Sequence, residues 1–284
     1  MSSKYNDEAE SVVRVLNESA RKLKGLKCSD YQTKNGKSGV DLVTQADRDI
    51  QEHIISFLQE EFPEAGIIAE EDHGIEKQDK NFIIDPIDGT TNYSAGRRYH
   101  SISIAYQEYG EVVVGGIASP EFEGGIISVG IRNEGAWIET EYSFNMTLDQ
   151  ITDSEAMKAE SNRELLEESL GMVEASSVKD IEDEMSEIRK ELGATYTQPG
   201  SAALELVEIA RGTIDFRIDT IDIWDYAAGH VIVEEAGGDV TSKHYFSQSI
   251  GRELIFTAAT GKGFMEKLKP VIQSSGFAEG MKDT

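Results

Sequence analysis

The chain has 284 residues, enough for roughly two units of ~150 residues or one large two-lobed fold, and its 39% hydrophobic and 28% charged content is that of a globular protein. Against 27 Lys and Arg stand 53 Asp and Glu, a formal net charge of −26, which argues against partners such as nucleic acid or an anionic membrane, both bound through Lys and Arg. The single cysteine, Cys28, rules out an internal disulfide framework and multi-Cys zinc sites. It reads as a small buried or half-buried thiol.

The longest uncharged stretch, 192–204, is too short and too polar to span a bilayer. The opening residues MSSKYNDEAE carry no apolar run of the secretory kind, so the expected compartment is the cytoplasm. The acidic surplus fits either a salt-adapted surface or an unusually acidic cytosolic protein.

Along the chain, Ala9, Val12, Val13, Leu16, Ala20 and Leu23 have helical spacing. The polar stretch 28–39, with Gly36 and Gly39, reads as a loop. A second helix is expected over 45–62, with Ile50, Ile54, Phe57 and Leu58 on one side and Pro63 past its end. Strand patterns follow at 82–85, 101–106, 112–118, 125–131 and 136–138, suggesting a largely antiparallel meander with the early helices packed on it. Gly115-Gly116 and Gly124-Gly125 read as turns or bulges. After about residue 140 the rhythm changes. Amphipathic stripes run through Ile181, Met185, Ile188 and Leu192 and through Ala202, Leu206, Val207 and Ala210. A strand is expected over 213–217 and a helix over 226–236, ended by Gly237-Gly238.

Chemistry concentrates in 83–92. Asp85 ends an apolar strand, and Pro86 keeps the residue before it extended. The turn that must follow lets Asp85 and Asp88 converge on one point, while Gly89 permits close backbone approach to a ligand. Thr90, Thr91 and Asn92 lead into a helix start, where free N–H groups suit a phosphate. Two carboxylates beside an anion-binding turn call for a cation between them, and hard oxygen donors point to Mg²⁺. Taken alone, Glu70 in the run Glu70-Glu71-Asp72 is a solvated-face residue. Likewise Asp47 alone is a first-turn helix carboxylate and Asp225 an N-cap.

The string Asp85-Pro86-Ile87-Asp88-Gly89-Thr90-Thr91-Asn92 resembles the signature of the inositol monophosphatase family of Mg²⁺-dependent, lithium-sensitive phosphatases. Three further segments match in order: Asp41-Leu42-Val43-Thr44-Gln45-Ala46-Asp47, then Ala69-Glu70-Glu71, then Trp224-Asp225-Tyr226-Ala227-Ala228-Gly229 with Glu235-Ala236-Gly237-Gly238. The likeness spans about residues 9–275. It implies an α/β (α+β) fold, a layered αβαβα sandwich of two lobes with the site between them; the change of rhythm, not the resemblance, sets their bounds at 1–140 and 141–284. A homodimer is also implied.

By the same resemblance, Glu70, Asp85 and the Ile87 carbonyl hold a first Mg²⁺, and Asp85, Asp88 and Asp225 share a second. A third, weaker ion uses Glu70 and water. Asp47 and Thr90, with Glu70, are implied as catalytic: they ready a water that attacks a phosphate monoester directly, without a phospho-enzyme. A second water, near Asp88, protonates the leaving alcohol. Two or three divalent ions also invert the local field of a chain that otherwise repels phosphate.

For substrate contacts the resemblance implies Asp88, Gly89 and Thr90, together with Gly200, Ser201 and Ala202 at a helix start that touches hydroxyls. A plain helix N-terminus capped by Ser201 is compatible with the same residues. The Glu of inositol-selective members falls on Ile218, with Asp219 adjacent. Asp215-Phe216-Arg217 is similar to the Asp-x-Arg of archaeal-type members that cleave both inositol phosphates and fructose 1,6-bisphosphate, which makes Arg217 a substrate contact. Arg97, Arg98, Lys34 and Lys37 read either as contacts to a second phosphate or as solvated surface. The expected function is a Mg²⁺-dependent phosphomonoesterase acting on inositol 1-phosphate, fructose 1,6-bisphosphate or both. The alternatives are a 3′-phosphoadenosine 5′-phosphate phosphatase and a non-catalytic sugar-phosphate-binding protein on the same fold.

Overall fold

Helix α1 (Asn6–Gly25) buries Ala9, Val12, Val13, Leu16, Ala20 and Leu23, the stripe read from its spacing. In the computed structural model the described residues are 4–26, 31–33, 42–71, 78–163, 165–173, 179–247 and 251–274. Cys28, Lys34, Lys37, Asp41 and Asp72, and most of the expected 28–39 loop, lie outside them. A short antiparallel pair, β1 (Tyr31–Thr33) and β2 (Leu42–Thr44), leads directly into α2 (Gln45–Glu61).

The first sheet has seven strands in the order β3-β4-β5-β6-β7-β8-β9. These are β3 (Gly66–Ala69), β4 (Lys80–Asp88), β5 (Ser101–Glu108), β6 (Glu111–Ser119), β7 (Ile126–Ile131), β8 (Gly135–Thr140) and β9 (Glu155–Ala156), with α3 (Thr90–Ser94) after β4 and α4 (Leu148–Thr152) before β9. Strands β4 to β9 form the antiparallel meander, and β3 joins its edge parallel to β4. Strand β4 does not stop at Pro86. It continues to Asp88 across a register break between Asp85 and Asp88, where a residue without an N–H is tolerated.

The second sheet has the order β11-β10-β12-β14-β13: β10 (Leu170–Val173), β11 (Thr195–Tyr196), β12 (Phe216–Thr220), β13 (Asp239–Ser247) and β14 (Gly251–Ala259). Its helices are α5 (Lys179–Leu192), α6 (Ala202–Ala210), α7 (Ile223–Glu235) and α8 (Gly261–Ser274). The strand expected over 213–217 begins at Phe216 instead, because the Thr213 N–H closes back on the Glu208 carbonyl at the end of α6.

Three apolar layers hold these parts together. One lies between α1, α2 and the first sheet, one between that sheet and α6 and α7, and one between the second sheet, α5 and α8. With α6 and α7 also against the second sheet, the order is αβαβα. Gly115 and Gly116 are in neither a turn nor a bulge, as their pairing suggested, but inside β6 in continuous register with β5 and β7. A Cβ on Gly115 would come within 2.3 Å of the Ala228 carbonyl on α7, and one on Gly116 within 2.6 Å of Leu16 and Val12 on α1. The missing side chains let a helix lie close on each face of the sheet. Gly124 and Gly125, with φ of 80° and 111°, do occupy the turn before β7.

Candidate active site

The site forms where β4 runs out. Asp85 is 1% exposed, and its Oδ1 accepts from the Ile87 N–H at 3.0 Å, so the irregular end of the strand fixes the carboxylate. Asp88 follows at the last position of β4. Gly89 then turns the chain with φ 89° into α3, and Gly200 carries the same φ of 89°. A Cβ at Gly89 would lie 2.8 Å from the Gly200 carbonyl, so both conformation and space demand glycine there. Asn92 clasps the facing turn, donating from Nδ2 to the carbonyls of Tyr99 and Pro199 at 2.7 Å and toward that of Gly200 at 3.1 Å.

Asp225 arrives from α7. It is not the N-cap but lies in the first turn, where its Oδ2 accepts from the N–H of Asp222, the actual N-cap, at 3.0 Å. One carboxylate oxygen from each of Asp85, Asp88 and Asp225 lies within 4.8 Å of the others. Burial, then the charges of Glu70, Asp88 and Asp225, hold the Asp85 carboxyl well above the usual aspartate range. Burial, then Asp88 and Glu70, do the same to Asp225. Glu70 stands just past the end of β3 and shares a hydrogen bond with Asp85.

Asp88 is treated differently. Burial raises its carboxyl, but Ser201 Oγ, the Ala203 and Ala202 N–H groups and the nearby Arg217 all favour its charged form. The two amides donate at 2.8 Å and 3.1 Å, so Asp88 sits on the N-terminus of α6, and Ser101 Oγ adds a further donor at 3.3 Å. Ser201 is also the N-cap of α6, as expected.

Beside this group, Thr90 Oγ1 lies 2.9 Å from Asp47 Oδ1 and 3.0 Å from the Ile87 carbonyl. The hydroxyl has one proton, and the fully buried Asp47 carboxylate is the stronger acceptor. The structure therefore brings together Asp47, Glu70, Asp85, Ile87, Asp88, Gly89, Thr90, Gly200, Ser201, Ala202 and Asp225. Clustered carboxylates with raised proton affinity, oxygen donors throughout and no histidine in the group suit a hard divalent cation.

Arg217 departs from its expected place. Its side chain on β12 is only 3% exposed and is held between the carboxylates of Glu205 and Asp219, themselves buried. The side chain expected to meet substrate is occupied by internal partners, because β12 turns this position inward against α6. Ile218, where inositol-selective members carry Glu, is fully buried in the layer under α5 and α8. Arg97 and Arg98 are exposed.

Sequence reasoning passed over Glu205, Ser101 and Gln51. Only a buried polar residue on an otherwise apolar stripe, as Glu205 is on α6 and Gln51 on α2, could have pointed to the first and last.

The model of the inositol monophosphatase family matches residues 5–269. The chain belongs to the inositol monophosphatase family. It is 36% identical over 203 residues to a fructose-1,6-bisphosphatase/inositol-1-monophosphatase of Thermotoga maritima, covering 71% of each chain. To an inositol-1-monophosphatase of Bacillus subtilis it is 31% identical over 210 residues, covering 71% of this chain and 72% of that one. A Nus factor SuhB of Pasteurella multocida matches at 26% over 272 residues, 92% of this chain and 97% of the relative. Among solved structures, a Thermotoga maritima IMPase superposes with a TM-score of 0.75 at 28% identity, covering 96% of this chain and all of that one. As a member of this family the chain is a phosphatase. Among the described residues, no helix is long and apolar enough to cross a membrane.

Proposed function

We propose that the protein is a Mg²⁺-dependent phosphomonoesterase acting on inositol 1-phosphate, fructose 1,6-bisphosphate or both. The observation that carries this reading is the convergence of Asp85, Asp88 and Asp225 within 4.8 Å, beside the Asp47–Thr90 pair. Glu70, Asp85 and the Ile87 carbonyl would hold one ion, and Asp85, Asp88 and Asp225 a second. Bound there, Mg²⁺ supplies Lewis acidity toward the phosphoryl oxygens and lowers the pKa of the attacking water.

The chain's own residues do the rest. Thr90 Oγ1 takes a proton from the incoming water while passing its own to Asp47 Oδ1, which leaves the water nucleophilic at phosphorus. The P–O bond to the alcohol breaks, the leaving oxygen takes up a proton from a water held near Asp88, and the proton gathered on Asp47 is released to solvent, where it offsets the hydroxide left behind. Gly89 and Thr90 N–H groups orient the phosphoryl group, while Asp88, Ser201 and Ala202 face the alcohol part. Catalysis is then chiefly placement and charge neutralisation. With Asp219 held by Arg217 and Ile218 buried, selectivity among sugar-type alcohols falls to the turn at Gly200–Ala202. A homodimer in the cytoplasm is part of this reading.

Phosphate release is measured from inositol 1-phosphate, fructose 1,6-bisphosphate and 3′-phosphoadenosine 5′-phosphate, with and without chelator. Mg²⁺-dependent turnover of either of the first two is expected. Full activity after exhaustive chelation, or turnover of the nucleotide alone, refutes the proposal. Binding of a sugar phosphate without any cleavage makes the chain a sensor instead.

A further inference from the structure

Gln51 lies one helical turn beyond Asp47 on α2, is 5% exposed, and hydrogen-bonds to Glu71, the residue after Glu70. Its carboxamide closes on the backbone of a single residue. The Glu71 N–H donates to Gln51 Oε1 at 2.9 Å, and Gln51 Nε2 donates to the Glu71 carbonyl. A side-chain amide offers a donor and an acceptor at this spacing, so Gln51 engages both backbone groups of Glu71 just past the end of β3.

The position of this clamp matters. Strand β3 ends at Ala69, and the last bond to β4 runs from the Glu70 N–H to the Ile84 carbonyl at 3.2 Å. Glu70 is therefore fixed by β4 on one side and by Gln51 on the other, at the point where the chain leaves the sheet. A residue just beyond a strand end otherwise has its φ and ψ free, and its carboxylate would sample many directions. The clamp aims it at Asp85.

We propose that Gln51 is a positioning residue for Glu70, setting the metal affinity of the site. Through α2 it also ties Glu70 to Asp47, so the water-activating pair and the first ion site move as one body. The inference rests on the reading of Glu70 as a metal ligand. Partners that orient metal ligands typically set metal affinity by about 10–100-fold.

The test is Mg²⁺ binding by calorimetry without substrate, on wild type, Gln51→Met and Gln51→Glu. Gln51→Met keeps the volume and loses both bonds. It is expected to weaken Mg²⁺ binding about tenfold and to raise the Mg²⁺ needed for half-maximal rate by the same factor, with kcat at saturating Mg²⁺ nearly unchanged. Gln51→Glu retains the acceptor for the Glu71 N–H but turns an oxygen toward the Glu71 carbonyl, and is expected to recover only part of the affinity. Wild-type affinity in a folded Gln51→Met, or a loss confined to kcat, overturns the inference. Hydrogen exchange at the Glu71 amide of metal-free wild type is a second measurement that needs no variant. Slow exchange is expected, and rapid exchange overturns the clamp. A wild type that neither binds Mg²⁺ nor releases phosphate sinks the functional reading itself; a competent wild type with an indifferent Gln51→Met sinks only the clamp.

Discussion

Asp85→Asn removes one negative charge from the centre of the cluster while its side-chain oxygen can still accept from the Ile87 N–H, the bond Asp85 makes at 3.0 Å. Oxygens of Asp85, Asp88 and Asp225 lie within 4.8 Å of one another, and at an effective dielectric constant of ~20 each charged pair at that separation costs roughly 3.5 kcal/mol. The cluster escapes part of this cost by taking up a proton, which is why Asp85 and Asp225 are held so far above the usual range. Relief of about 2 kcal/mol at neutral pH is a fair expectation for the metal-free protein, or ~3 °C in melting temperature for a chain of this length.

The sign with pH follows from the same shift. A carboxyl whose folded pKa is raised adds no penalty below its ordinary value of 3.8. The folded state then loses stability progressively as pH rises from there through the raised value. In chelator, Asp85→Asn is therefore expected to melt above wild type at pH 8, with the gap closing toward pH 4.

Mg²⁺ reverses the order. At about 100-fold over its dissociation constant a ligand stabilises by ~2.7 kcal/mol, so wild type gains some 4–5 °C and Asp85→Asn almost nothing. Differential scanning calorimetry across pH, with chelator and with Mg²⁺, reads both effects. An Asp85→Asn protein that melts below wild type in chelator at pH 8, or that gains as much from Mg²⁺ as wild type does, refutes the reasoning.

Asp88→Asn places an amide where four donors converge, from Ser101, Ser201, Ala202 and Ala203; phosphate release is expected to fall by at least ~100-fold, since even indirect partners of metal ligands cost ~10–100-fold, and full activity would remove Asp88 from the site. Arg217→Met leaves the buried Glu205 and Asp219 carboxylates uncompensated and should cost about 3–5 kcal/mol in urea unfolding; an unchanged midpoint would show that the ion cluster is not formed. Gly115→Ala drives a methyl to within 2.3 Å of the Ala228 carbonyl, for an expected loss of about 1–3 kcal/mol as α7 is pushed off the sheet; a wild-type melting temperature would contradict the close packing of that helix.

The first helix, the meander and the acidic string at the end of β4 were legible because each is written in short-range pattern. Helical spacing from Ala9 to Leu23 and the run into Asp85-Pro86-Ile87-Asp88-Gly89 bring their own geometry, whatever surrounds them. Ser201 was legible as a cap for the same reason, since a cap is read by the amides that follow it within one turn. Other features depend on what lies opposite. Nothing near Gly115-Gly116 distinguishes a turn from a strand under two helices; α1 and α7 decide it. Asp225 takes the third helical position only because Asp222 can start the helix earlier. Arg217 carries the same charge whether it faces a substrate or two buried carboxylates, and the pairing of β12 with its neighbours turns it inward. Gln51 reads as an ordinary helical residue until the end of β3 arrives beside it. Local spacing selects elements and their ends, because those free energies arise within a few residues along the chain. Which polar side chain meets which partner is settled by packing between distant segments, where an unmet buried charge or amide costs more than any local preference can offset.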